Sequence, residues 1–122
     1  LQGHPVLITF WSTDCPSCVR DMDHLIALHQ RYNHLGLKII AFSMAYDPPN
    51  HVVNMVKERQ LPYTVVLDFQ GEYANAFGGV MLTPNTFLIA PDGQLALHQL
   101  GVLNQNQFES IIDQWLISKN KQ

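Results

Sequence analysis

Near the amino terminus stands the run Val6-Leu7-Ile8-Thr9-Phe10-Trp11-Ser12-Thr13-Asp14-Cys15-Pro16-Ser17-Cys18. Its apolar part is typical of a buried β-strand, and Pro16 suits the first turn of a helix, where its missing N–H would be unpaired anyway. Both sulfurs are therefore expected at a strand-to-helix turn, where backbone N–H groups point outward and favour negative charge. A thiol in that environment readily becomes a thiolate, which is the form that attacks disulfides. The motif indicates dithiol–disulfide chemistry.

The two cysteines are the only ones in the chain, and their spacing predicts different roles. Residues i and i+3 share one face of a helix, so Cys15 is expected at the helix mouth and Cys18 one turn inside. Cys15 would attack a substrate disulfide, and Cys18 would then resolve the mixed disulfide and leave a Cys15–Cys18 disulfide. A structural disulfide or half of a zinc site is the alternative. Zinc sites usually add a second cysteine or histidine pair, and the chain has no second cysteine pair.

Size and composition limit the class of protein. The chain has 122 residues, of which 47% are hydrophobic and 14% charged, as expected for a folded protein with one domain over 1–122. A net charge of −3 gives no indication of a nucleic-acid partner. No apolar stretch approaches the roughly 20 residues that a membrane-spanning helix needs. The chain begins at Leu1 without an initiator Met or a visible signal peptide, which predicts a processed or trimmed start and leaves export open.

Strand and helix patterns alternate along the rest of the chain. A helix over 16–33, ended by Gly36, and a strand over 37–44 follow the first strand, which predicts a parallel βαβ unit with a right-handed crossover. The later predicted elements are a helix over 50–59 capped by Asn50 with Val52, Val53 and Val56 facing inward, a strand over 63–67, a short helix over 71–77, strands over 85–90 and 94–100, and a helix over 104–118. The pattern predicts an α/β fold with a central mixed sheet and helices on both faces.

A second motif lies far along the chain, Thr83-Pro84-Asn85-Thr86-Phe87-Leu88-Ile89, followed by Pro91-Asp92-Gly93. With the stretch over 10–18, it resembles the TlpA-like, or ResA-like, thiol–disulfide oxidoreductases, which have a thioredoxin-like fold. The resemblance extends from His4 to about Leu116. The segment over about 48–77 resembles the αβ insertion that separates this family from minimal thioredoxins.

The resemblance implies roles for individual residues around the cysteines. Pro84 would be a cis-proline lying against the cysteine pair, and Thr83 would offer backbone groups to an extended substrate. Pro16 and Ser17, between the cysteines, and Trp11 beneath them would complete the substrate-binding surface. Trp11 is equally well explained as a core aromatic residue of the first strand.

Three polar positions bear on proton transfer. Asp21, three residues after Cys18, falls where many family members carry Glu, so the resemblance implies that it helps to move the proton of the resolving thiol. The alternative is an ordinary exposed acid that the helix dipole stabilises. Asp14 stands where the family often has Trp, and its carboxylate is expected to disfavour the thiolate of Cys15. Thr9 replaces the buried acid that ordinary thioredoxins carry six residues before the first cysteine.

The resemblance implies a protein that reduces disulfides in exported proteins, in the bacterial periplasm or elsewhere outside the cytoplasm. Family members serve cytochrome c biogenesis, copper-centre assembly or general periplasmic reduction. A disulfide-containing protein would be the substrate and a membrane-bound thiol protein the electron donor. The chain would act as a monomer without a cofactor. A membrane anchor upstream of Leu1 is compatible with this interpretation.

Two other functions stay open on the sequence alone. The first is a dithiol oxidant, because the direction of exchange depends on the reduction potential and not on the motif. The second is a copper-binding module of the same fold, in which Cys15, Cys18 and Met81 would hold Cu(I).

Histidines and apolar residues give weaker signals. His98 lies on the last predicted strand and could face either side of the sheet. The other histidines considered are interpreted as surface residues: His24, His29, His34 and His51. One apolar group is either a patch for a protein partner near the thiols or plain core: Phe77, Val80, Met81 and Leu82.

Overall fold

A computed structural model of the chain describes residues 3–117. The elements are β1 (Val6–Trp11), α1 (Pro16–Tyr32), a 3₁₀ turn (Asn33–Leu35), β2 (Lys38–Ser43), α2 (Pro49–Arg59), β3 (Thr64–Leu67), α3 (Glu72–Ala76), β4 (Asn85–Ile89), β5 (Leu95–Leu100) and α4 (Gln105–Leu116). Every predicted element is present, with small shifts at the ends. The predicted end of the last helix at Ser118 lies outside the described residues. Within 3–117, no helix is both long and apolar enough to cross a bilayer.

The five strands form one mixed sheet in the order β3-β2-β1-β4-β5. β1 pairs in parallel with β2, and β2 pairs in parallel with β3. β4 runs antiparallel to both of its neighbours, β1 and β5. The α/β fold with a mixed sheet is therefore confirmed. Because parallel strands end at the same edge, the loops after β1 and β2 meet there, and the segment that enters β4 reaches the same edge.

Helices cover both faces of the sheet, as predicted. Every residue of β1 is buried, so this strand contributes side chains to both faces. On one face, Leu7 and Trp11 pack in a cluster with residues of α1, α2 and α4. On the other face, Phe10 packs with Phe42, at 5.3 Å between ring centroids, in a cluster that also includes Ala74 of α3. A central strand buried on both sides holds the following turn firmly in place.

Hydrogen bonds and ion pairs join α1 to α4, and the shortest of them is made by a buried tyrosine. Tyr32, at the end of α1, is fully buried, and its hydroxyl donates to Asp113 Oδ1 of α4 at 2.6 Å. Burial, and then the hydrogen bond with Asp113, raise the pKa of Tyr32, so the phenol stays protonated as a donor. This contact fixes α4, and with it the segment that leads from β5 into α4, against α1.

Two predictions about α2 are wrong. Val53 is 42% exposed and does not face inward, whereas Val52 is buried in the core. Adjacent helix residues point about 100° apart, and the buried face of this surface helix is too narrow for both. Asn50 is not the cap either, because α2 begins at Pro49 with Pro48 as its N-cap.

Candidate active site

The cysteine pair lies at the start of α1, as its spacing predicts. Cys15 is the N-cap residue, in an extended conformation, and is partly exposed. Cys18 lies one turn inside the helix and is only 2% exposed. The two residues form a disulfide, with their Cα atoms 5.2 Å apart. The outer and inner positions expected of an attacking and a resolving cysteine are therefore present.

The start of α1 stabilises negative charge on Cys15. The backbone N–H of Cys18 donates to Cys15 Sγ at 3.1 Å, so the sulfur occupies the position of a capping acceptor. In the reduced protein, the same N–H and the positive end of the helix dipole favour a thiolate at Cys15 over one at Cys18. This asymmetry favours Cys15 over Cys18 as the attacking cysteine that the spacing predicts.

The segment that enters β4 lies directly against the outer sulfur. The Thr83–Pro84 peptide bond is cis, as the resemblance implies. The carbonyl oxygen of Thr83 lies 3.7 Å from Cys15 Sγ. Pro84 is buried, and its carbonyl accepts from the N–H of Gly101 at 2.8 Å, which ties this segment to the end of β5.

The other residues predicted to bind substrate differ in accessibility. Pro16 is exposed and Ser17 is partly exposed, where its hydroxyl accepts from the Arg20 guanidinium at 3.2 Å. Thr83 is also partly exposed. Trp11 is buried and belongs to the core cluster that includes Cys18. The surface around Cys15 is therefore built by Pro16, Ser17 and Thr83, with Trp11 packed below it.

Asp21 is buried, and its interpretation as an exposed acid is wrong. Its carboxylate oxygen Oδ1 accepts from the backbone N–H of Leu103 at 2.9 Å and pairs with His24 Nδ1 at 3.1 Å. Its other oxygen, Oδ2, has no hydrogen-bond partner among the described residues. The cause of the burial is long-range, because the segment after β5 folds over this turn of α1 and brings Leu103 to the carboxylate.

A small cavity links the buried acid to the inner sulfur. Asp21, Cys18, Trp11 and Pro84 lie among the residues that line it, and its volume is about 10 Å³. That volume is about the size of one water molecule. The Trp11 indole Nε1 is the other buried side-chain polar atom without a partner in the described part of the chain. A carboxylate with one uncommitted oxygen thus shares an apolar enclosure with the inner cysteine, Cys18.

Sequence reasoning missed Asp47, which holds the turn before Cys15. Its carboxylate is buried and accepts two hydrogen bonds from Thr13, one from the backbone N–H at 2.7 Å and one from Oγ1 at 2.7 Å. The next residue in the turn, Asp14, is exposed and accepts from Ser12 Oγ at 2.7 Å. A signal existed, because Asp47 follows β2 at the edge where β1 also ends, but the Thr13 partner was not visible from spacing.

We expect Asp47→Ala to lower the free energy of unfolding by about 2–3 kcal/mol, since hydrogen bonds to a charged group are among the stronger ones. Thr13→Val removes only the hydroxyl bond to the same carboxylate, and we expect a smaller loss of about 1.5 kcal/mol. Urea unfolding of both variants and the wild type measures the difference. Equal stability of Asp47→Ala and the wild type would show that this carboxylate does not hold the turn.

The predicted apolar patch is divided between core and surface. Val80 is buried, and Phe77 packs partly buried against the same cluster. Met81 is 82% exposed, and Leu82 is also exposed, two residues or fewer from Thr83. The core interpretation is therefore right for Val80 and Phe77, and the partner patch stays a prediction for Met81 and Leu82. Among residues 3–117, no three His, Cys, Asp or Glu side chains come together as a metal site.

Comparison with known proteins gives a consistent result. The Redoxin family profile matches residues 1–116. A thiol–disulfide oxidoreductase named ResA from Bacillus thuringiensis is 32% identical over 111 residues, which cover 91% of this chain and 63% of that protein. ResA from Halalkalibacterium halodurans is 30% identical over 113 residues, with 93% and 63% covered. The chain thus spans less than two thirds of these relatives.

A solved structure agrees with the fold. A protein of Neisseria meningitidis, described as a candidate thioredoxin, is 30% identical and matches with a TM-score of 0.86. The match covers 93% of this chain and 75% of that one. The thioredoxin-like fold expected from the two motifs is therefore confirmed.

Proposed function

Because this chain belongs to the Redoxin family, among its ResA/TlpA-like thiol–disulfide oxidoreductases, we propose that it reduces disulfides in other proteins through the Cys15–Cys18 couple. The observation that carries the proposal is the asymmetry of the pair. Cys15 is partly exposed and accepts the N–H of Cys18, whereas Cys18 is buried behind it. One sulfur can meet a substrate and the other can reach only the first.

The reaction proceeds in two exchanges. The Cys15 thiolate attacks one sulfur of the substrate disulfide, forms a mixed disulfide, and releases one substrate thiolate, which takes up a proton. Cys18 then loses its proton, and its sulfur attacks Cys15. The bond between Cys15 and the substrate breaks, and the second substrate thiol leaves. The substrate gains two electrons and two protons, and the protein ends as the Cys15–Cys18 disulfide that the structure contains.

Three accessible groups would orient the substrate chain. The Thr83 carbonyl lies beside Cys15 Sγ, and an extended segment next to the substrate cysteine would pair with the backbone of Thr83. Pro16 and Ser17 would bound the other side of the exposed sulfur. Buried Pro84 and Trp11 would act from below, by fixing the position of this surface.

Asp21 would take the proton of Cys18 in the second exchange. It lies one helical turn from Cys18, lines the same small cavity, and has one uncommitted carboxylate oxygen. A positioned base of this kind accelerates the step because the thiolate, and not the thiol, attacks.

The proposed setting is outside the bacterial cytoplasm. A disulfide-containing exported protein would be the substrate, as in cytochrome c biogenesis, and a membrane-bound thiol protein would return the enzyme to the dithiol state. The chain would act as a monomer, with or without a membrane anchor in the full-length protein. The relatives named ResA support the activity, and the rest of the setting follows from the family resemblance.

Asp14 favours a reductant over the alternative, a dithiol oxidant. Its exposed carboxylate neighbours Cys15 and is held by Ser12. A negative charge there makes the Cys15 thiolate less stable, and a less stable reduced form gives a more reducing couple.

We expect a midpoint potential near that of thioredoxin, about −270 mV, in equilibrium with dithiothreitol redox buffers. Asp14→Asn should raise the potential, on the order of 30 mV, because it removes the opposing charge. Mass spectrometry after alkylation gives the reduced fraction at each buffer ratio. A wild-type potential near that of DsbA, about −120 mV, would contradict the reductant and favour the oxidant.

A further inference from the structure

A partly exposed histidine contacts the buried acid of the active site. His24 Nδ1 lies 3.1 Å from Asp21 Oδ1, and the side chains are 34% and 2% exposed, respectively. Sequence reasoning assigned His24 to the surface. We propose that His24 is a positioning residue through which buried Asp21 exchanges charge and protons with solvent during the second thiol–disulfide exchange. This inference rests on the proposed function, because it concerns the step in which Cys18 resolves the mixed disulfide.

The two carboxylate oxygens of Asp21 differ in their hydrogen bonds. Oδ1 is held by His24 and by the N–H of Leu103, which fixes the carboxylate in place. Oδ2 makes no hydrogen bond to the described residues, and the side chain lines the cavity with Cys18. The proton of Cys18 can therefore enter at Oδ2 while His24 stays on Oδ1. A carboxylate this deeply buried needs a partner that reaches water, and His24 meets that need.

Other charged groups near the pair do not replace His24. Tyr63 lines the same cavity, but burial and then the negative charge of Asp21 raise its pKa, so it stays neutral at physiological pH. The positive charge of Arg59 lowers the pKa of Tyr63, but this effect is smaller than the two that raise it. From α4, Glu109 and Asp113 contact Arg31 and Tyr32, about two turns further along α1. Arg20, one turn before His24, contacts Ser17.

The proposed step keeps atoms and charge in balance. Before it, imidazolium His24 donates its Nδ1–H to the Asp21 carboxylate, and the pair is neutral. As the Cys18 sulfur bonds to Cys15 and the substrate thiolate leaves, the Cys18 proton moves to Asp21 Oδ2. His24 then gives its Nε2 proton to solvent and keeps its Nδ1–H on Oδ1. The pair is again neutral, and the released proton balances the one that the departing thiolate takes up. Histidine suits this role because it changes charge near neutral pH.

Two variants separate proton exchange from simple support of Asp21. His24→Gln keeps a side-chain N–H donor for Oδ1 but cannot gain or lose a proton, and His24→Ala removes both properties. The reduced protein is mixed with excess oxidised glutathione, and the plateau rate of Cys15–Cys18 disulfide formation is followed by tryptophan fluorescence across pH 5–9. We expect both variants to be slower by about tenfold at neutral pH, which is less than the roughly 100-fold or more that an acid–base group itself contributes, because Asp21 remains.

Controls distinguish this inference from the function on which it rests. Added imidazole should restore part of the rate in His24→Ala, and the histidine-dependent inflection of the pH profile should be absent from both variants. His29→Gln, another half-exposed histidine of α1, should match the wild type. Full rescue by His24→Gln, with an unchanged pH profile, would overturn the proposal and leave only a structural hydrogen bond. A wild-type protein that fails to reduce oxidised glutathione would instead contradict the proposed function.

Discussion

Replacing Cys18 by serine is expected to leave the protein covalently joined to its substrate through Cys15. The first exchange needs only Cys15, which is partly exposed and keeps the N–H of residue 18 as a donor to its sulfur. The second exchange needs the inner sulfur, which this variant lacks. The mixed disulfide should therefore accumulate to near completion, and turnover should fall to the background rate. Intact-mass measurement after reaction with a disulfide-containing protein shows the adduct directly.

The matched control is Cys15→Ser. Cys18 is then the only thiol, but it is 2% exposed and lies on the inner side of α1, out of reach of a protein disulfide. We expect no adduct over the time in which Cys18→Ser reacts fully. Equal trapping by both variants would show that the roles of attacker and resolver are assigned wrongly. Circular dichroism of both proteins checks that serine leaves the fold unchanged.

The parts of the site that follow from local spacing could be predicted from the sequence. The helix start after β1 places Cys15 at the N-cap and Cys18 inside, and both positions depend only on nearby residues. The apolar pattern was sufficient for all five strands and for their mixed arrangement. The cis bond before Pro84 was different, because it came from the family resemblance and not from local chemistry.

The parts that depend on distant contacts could not be predicted. Asp21 is buried because Leu103, which is 82 residues away in sequence, donates to it. Asp47 holds Thr13 across a separation of 34 residues. His24 gained its place in the site only through Asp21. Hydrophobic periodicity gives no information on such pairs, since each is made where two loops meet at one edge of the sheet.

Three carboxylates lie near the cysteines, and we expect their different environments to give them different roles. Asp14 is exposed and adds negative charge beside Cys15. Asp47 is buried with both oxygens occupied by Thr13, so it supports the turn. Asp21 is buried with one oxygen uncommitted, so it alone of the three is free to receive a proton from inside the protein. We therefore expect Asp14 to tune the couple, Asp47 to support the turn and Asp21 to react, according to the partners of each carboxylate.

Asp21→Asn is expected to slow the second exchange by about 100-fold while leaving the first unchanged, since a positioned base contributes at least that much. Asparagine has the same shape and keeps an acceptor for the N–H of Leu103, but it cannot take the Cys18 proton. The plateau rate with excess oxidised glutathione reports the second exchange, and the rate at low disulfide concentration reports the first. Asp23→Asn, an exposed acid on the same helix, is the control and should match the wild type.

A fall in both rates of Asp21→Asn would point to a general disturbance of α1, and urea unfolding would then show a loss of stability. An unchanged plateau rate would remove Asp21 from the chemistry. Tyr63 cannot take over as the base at neutral pH, because its burial, which the substitution leaves in place, is the larger cause of its raised pKa. Solvent water reaches Cys18 poorly, given its burial under Cys15. Without the carboxylate, only Cys18 that is already ionised can attack, so the slow step should quicken with rising pH in Asp21→Asn. This dependence separates a missing base from a misplaced sulfur.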